Sequence, residues 1–166
     1  MGKKTTKFIN DIDSRQTACK KAMEEFILCS EEYKDLEVGL GKARERMVRR
    51  FAEVGTQCKS NDRATVEQAL ANDGEYVQSQ KEHEDLYRES EGTRLKRSQA
   101  HIEIKNCIEK IDSALQVFET YINKKAKSKN PFKSKKSIPA AKDYIEASKT
   151  FVEGSREFFK SIGGSA

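Results

Sequence analysis

The sequence predicts an all-α protein: an elongated antiparallel helical bundle, or coiled coil, of three helices, two long and one shorter and C-terminal. Three observations carry this. Ile12, Cys19, Phe26, Tyr33, Leu40, Met47 and Val54 succeed one another at seven-residue steps, and a 3.5-residue period keeps one seam of a helix facing a partner. Only 36% of the 166 residues are hydrophobic while 36% are charged, too few apolar side chains for a spherical core but enough for helices with mostly wet faces. Trp is absent and there are two Pro, so helix breaks are few. High charge and low hydrophobicity also suit disorder, and the sustained heptad argues against it.

The first long helix is expected over about residues 8–58, after a basic N-terminal arm at residues 1–7. Thr5 or Thr6 is its candidate N-cap. Three residues after each seam position come Arg15, Ala22, Cys29, Leu36, Ala43, Arg50 and Gln57. This second row is apolar only in its middle. Gly39 and Gly41 weaken the helix, but the register passes through Leu40 unshifted, which reads as a bend. Residues 59–62 make a turn, with Asn61 or Asp62 capping the second helix.

That second helix is expected over about residues 63–126. Its seam reads Val66, Ala69, Tyr76 and Tyr87, then Ile104, Ile108, Ile111, Leu115, Phe118 and Ile122. Between these groups lie polar candidates: Gln80, His83, Ser90, Arg94, Arg97 and His101. Gly74 and Gly92 weaken the helix locally. Asn130-Pro131 ends the helical region, since the residue before Pro avoids the helical conformation. Pro139 suits a first helical turn, so the third helix spans about residues 139–162. Its stripe of Tyr144, Ile145, Phe151, Val152, Phe158, Phe159 and Ile162 has the width of a helix packed on two neighbours. Residues 163–166 are expected as a flexible tail. Residues 8–162 thus form a single bundle.

The four-residue turn makes the two long helices antiparallel. That pairs Ile12 with the region of Ile108 and Ile111, and Tyr33 with Tyr87 and Arg88. The third helix doubles back, giving a three-helix core on residues 8–30, 102–126 and 140–162. Two helices continue to the turn at 59–62. The N-terminus and the loop at residues 124–137 then share one end.

Charge is concentrated there. The net charge is +5, yet the loop holds Lys124, Lys125, Lys127, Lys129, Lys133, Lys135 and Lys136 with no acid. A charge run is commonly a solvated loop. A lysine cluster also attracts anionic headgroups, at about 1 kcal/mol per charge, or phosphate backbones. Phe132 within the run suits insertion into a lipid interface or stacking on a base. Lys3, Lys4 and Lys7 join the run in this topology. Met1-Gly2 with Thr6 downstream matches the N-myristoylation pattern, making Gly2 the candidate lipidation site. A single acyl chain anchors marginally without a second, polybasic signal. Phosphorylation of Ser128, Ser134 or Ser137 would oppose binding.

Catalytic and metal motifs are missing. His83 and His101 are 18 residues apart, roughly 27 Å along a helix, and cannot share a metal. Cys19, Cys29, Cys58 and Cys107 include no CxxC pair, which fits reduced thiols in a cytoplasmic protein. No cofactor or metal is implied, and no phosphate loop or nucleophile elbow is present. No apolar run approaches the ~20 residues of a membrane span, and no secretory leader is expected.

The expectation is a non-enzymatic scaffold that assembles through helical surfaces with other helical proteins or a second copy. Its basic end would tether it peripherally to the cytosolic face of an anionic membrane. The three-helix antiparallel plan with basic patches resembles BAR-type modules. This architectural likeness implies a homodimer that binds curved membranes, although the third helix is shorter than that pattern. Nucleic-acid binding through the lysine loop is a third reading, weakened by the near absence of Arg.

Overall fold

The computed structural model describes residues 2–58, 62–127 and 137–164. Among these residues the chain is all helical, with α1 at Lys3–Cys58, α2 at Arg63–Ala71, α3 at Gly74–Ala126 and α4 at Ser137–Ser161. The all-α expectation holds, but four helices replace the expected three. The second long helix breaks at Asn72-Asp73. Asn72 caps α2, its N–H donating to the Ala69 carbonyl at 3.2 Å while the Asp73 N–H donates to that of Leu70 at 3.0 Å. Asp73 caps α3, its carboxylate accepting from the Tyr76 N–H at 2.9 Å. Both are residues that compete with helix by bonding nearby backbone groups.

Other ends reflect local chemistry. Asp62 caps α2 as expected, accepting from the Thr65 N–H at 3.1 Å. Neither Thr5 nor Thr6 caps α1. The helix begins at Lys3, the Thr6 N–H donates to the Gly2 carbonyl, and Thr5 is buried in the first turn. Most of the expected arm is therefore helix. At the far end Gly163, with φ +89°, ends α4. The Gly164 N–H donates to the Phe159 carbonyl and the Gly163 N–H to that of Lys160. This paired arrangement closes a helix on a left-handed glycine, so these two residues form a cap where a free tail was expected.

The chain divides into two compact units, one of residues 1–26 and 98–166, the other of residues 27–97. In the first, α1 supplies Ile12, Cys19 and Ala22 to a core completed by α3 and α4. From α3 come Ile104, Ile108, Ile111, Leu115, Phe118 and Ile122. From α4 come Ala141, Ile145, Val152 and Phe159. Two seven-residue rows of α4 are buried together, Ala141-Ser148-Ser155 and Ile145-Val152-Phe159. Each large side chain buried here contributes about 1.5–3 kcal/mol. The Tyr144 hydroxyl donates to Asp13 at 2.6 Å, with the Ile9 carbonyl 3.2 Å away. Burial, then Asp13, raises the phenol's pKa. Arg156 to Asp112 at 2.9 Å and Lys149 to Glu119 at 3.1 Å pin α4 to α3.

The second unit has a thinner interior of small and polar side chains. Cys29 and Ala43 of α1 and Ser79, Ser90 and Thr93 of α3 are buried. Ser90 satisfies its hydroxyl on the Tyr87 carbonyl of its own helix. Gly39 faces Leu86, and a Cβ there would lie 3.3 Å from Leu86 Cδ1. The α2 turn adds a satellite core of Val54, Val66 and Leu70. Arg50 donates to Asp73 at 2.7 Å and to Glu53 at 2.9 Å, clamping α1 to the cap of α3.

The pairing of α1 with α3 differs from the expected register. Tyr33 lies under the Arg97 guanidinium, 5.0 Å from ring centroid to Cζ, instead of beside Tyr87 and Arg88. Arg46 pairs with Glu82. The expectation ran the second helix unbroken from the turn. Folding residues 63–71 into α2 lengthens the connection, so α1 meets α3 further along. Tyr87 is accordingly 55% exposed, and Gln80 and Arg94 also face solvent. Ser79 and Thr93, one residue earlier in each case, take the interior places expected of Gln80 and Arg94.

Candidate functional site

Of the expected seam on α1, Ile12, Cys19 and Val54 are buried. Phe26, Tyr33, Leu40 and Met47 are half-buried. The row extends back to Thr5, which is 1% exposed. The seam is structural. The candidate site lies at one end of the first unit, where the start of α1 meets the end of α3.

Phe8 holds these two segments together. Its ring stacks on Phe118 with centroids 5.1 Å apart and lies 5.4 Å from Tyr121. One helical turn before Phe8, Lys4 places its ammonium 5.5 Å from the Tyr121 ring centroid. Lys125, in the last turn of α3, places its own 6.0 Å from the same centroid. A Cβ built on Gly2 would lie 3.9 Å from Lys125 Nζ. The structure thus brings Lys4 and Lys125 together at Tyr121, with Gly2 beside Lys125, from positions far apart in sequence. Lys3, Lys7, Lys124 and Lys127 are exposed in the same turns. Lys129, Phe132, Lys133, Lys135 and Lys136, with Ser128 and Ser134, lie outside the described residues.

Helix polarity acts in opposite senses on the two segments. The first turn of α1 contains no acid but carries Lys3 and Lys4. A helix N-terminus already bears a partial positive charge, and cations there are unfavourable by about 0.3–1 kcal/mol each. In α3 the basic residues of the last turn, Lys124 and Lys125, sit favourably on the negative end. Neither segment, residues 2–7 nor 121–127, contains Asp or Glu. The nearest acid on α3, Glu119, is engaged by Lys149. The cluster can attract anions and can interact with aromatic faces. Among the described residues of these two segments there is no carboxylate, histidine or cysteine side chain.

The remaining chemistry-bearing residues have structural places. His101 stacks on Phe159 with centroids 4.5 Å apart and sits 6.0 Å from Phe26. Cys19, Cys29 and Cys107 are buried, and burial raises the pKa of the Cys19 and Cys107 thiols. Among the described residues no group of His, Cys, Asp and Glu could hold a metal, and no helix is long and apolar enough to cross a membrane. Sequence reasoning missed the Tyr121 ring as the element shared by the two lysines. The four-residue spacing of Tyr121 and Lys125 on one helix face was the available signal. No family model, curated protein or solved structure matches the chain.

Proposed function

We propose that the protein is a non-enzymatic scaffold, tethered peripherally to an anionic membrane surface by the basic end of its first unit. The supporting observation is the convergence of Lys4 and Lys125 on Tyr121 beside Gly2. Such an end keeps like charges close at a cost to folding, which an anionic surface would offset. At about 1 kcal/mol per lysine, the six lysines in described turns support binding on the order of tens of micromolar. Affinity of this kind falls steeply with salt, because surface charges are screened. Acylation at Gly2 would add to this affinity, and two such signals together anchor stably.

The test is co-sedimentation with vesicles containing phosphatidylserine and with neutral vesicles. The unmodified chain should pellet with the anionic vesicles only and release as salt rises. Lys4→Glu/Lys125→Glu should weaken binding by about tenfold or more, since each reversal removes one attraction and adds one repulsion. Gly2→Ala, in chain produced where acylation can occur, reports the share of the acyl group. Equal binding by all variants would refute the reading. Salt-sensitive binding to nucleic acid with none to vesicles would favour a phosphate-backbone partner instead.

A further inference from the structure

We propose that the outer face of α1 in the second unit pairs antiparallel with the same face of a second copy of this chain. The proposal goes beyond the membrane reading and does not depend on it. Ile27, Val38 and Val48 are 44, 52 and 63% exposed, although they belong to a helix whose inner face is already covered by α3. Ile27, Lys34, Gly41 and Val48 form one exposed row at seven-residue steps. Glu31, Val38, Glu45 and Ala52 form a second, four residues further on. Alternating steps of four and three residues define the seam of a two-helix coiled coil.

Charge selects the occupant and its direction. Acidic residues dominate the stretch 31–37 and basic residues the stretch 42–50. A parallel copy would set Lys34 on Lys34 and Glu45 on Glu45. An antiparallel copy, related by a two-fold axis between Gly39 and Leu40, sets Lys34 on the other copy's Glu45, twice. On the flank it sets Asp35 beside the other copy's Lys42. A two-fold interface repeats each contact in this way. None of Lys34, Asp35, Lys42 and Glu45 is in an ion pair among the described residues.

Gly41 supplies an independent observation. A Cβ there would meet nothing within 4 Å, so packing inside the chain does not call for glycine in mid-helix. In the antiparallel pair Gly41 lies opposite the other copy's Val38, beside the axis. That is where helix backbones approach closest and where a missing side chain admits a branched one. The seam is only partly apolar, so the dimer is weak and sensitive to salt.

Sedimentation equilibrium of the full chain, with reductant and at two salt concentrations, tests this. The expected result is a monomer–dimer equilibrium that salt weakens. Lys34→Glu and Glu45→Lys should each weaken it by about tenfold, since each creates two like-charge contacts per dimer. The double variant K34E/E45K should restore it, because coupling appears only if the two positions meet. Circular dichroism should show unchanged helix content, as both side chains are exposed. A monomer at all concentrations, single variants with no effect, or a double variant as weak as the singles would each overturn the proposal.

Discussion

Thr5 is 1% exposed and its hydroxyl has no hydrogen-bond partner among the described residues. A buried hydroxyl without a partner costs about 1–3 kcal/mol. Thr5→Val keeps the shape and removes that cost, so it should raise the unfolding free energy by about 1 kcal/mol in urea titration. Tyr144 is the opposite case. Its hydroxyl ties α4 to Asp13 of α1 at 2.6 Å, and Tyr144→Phe should lower stability by about 1 kcal/mol. The Arg50–Asp73 contact carries a pH dependence. The hydrogen bonds from Arg50, then the Tyr76 N–H, hold the Asp73 carboxyl below the usual carboxylate range. Its folded pKa lies below its unfolded value of about 3.9. The contact therefore stabilises above that value and is lost as pH falls through the folded pKa. Thermal melts from pH 6 downward should show this loss in the native chain and a smaller acid dependence in Asp73→Asn.

At the scale of elements, the heptad of α1 was legible because Ile12, Cys19 and Val54 recur at a fixed step and each is buried. The stripe of α4 was equally legible, since Ile145, Val152 and Phe159 are apolar and inward. The interior of α3 in the second unit was legible only in part. Ser90 falls on the expected seam and is buried, its hydroxyl donating to the Tyr87 carbonyl, whereas Ser79 and Thr93, small and polar, look like surface and are buried too. Tyr87 looks like core and is exposed, because burial depends on which face the partner covers and not on the side chain alone. The break at Asn72-Asp73 is written in capping residues, but within a long periodic pattern Gly74 reads only as a weak point in one helix. The presence of α2 moves the register of α3 and with it the expected pairs. The register makes a paired prediction. Phe118→Ala should cost about 3–5 kcal/mol, whereas Tyr87→Ala should change stability by under about 0.5 kcal/mol, both measured by chemical denaturation. Equal costs would mean that α3 is turned differently.

For the molecule as a whole, charge placement says more than net charge. The chain is +5, and the stretch 124–137 alone carries more positive charge than that total. The sequence supplied the lysines and, through the antiparallel argument, the expectation that the N-terminus lies beside them. It could not supply the Tyr121 ring between Lys4 and Lys125, which depends on Phe8 docking against Phe118. Vesicle affinity as a function of ionic strength, for the native chain and for K4E/K125E, tests membrane tethering most directly. The expected result is binding to anionic vesicles alone, falling steeply with salt, with the double reversal both weaker and less salt-dependent. Binding to neutral vesicles as tight as to anionic ones, or a charge reversal that leaves affinity and its salt dependence unchanged, would contradict it.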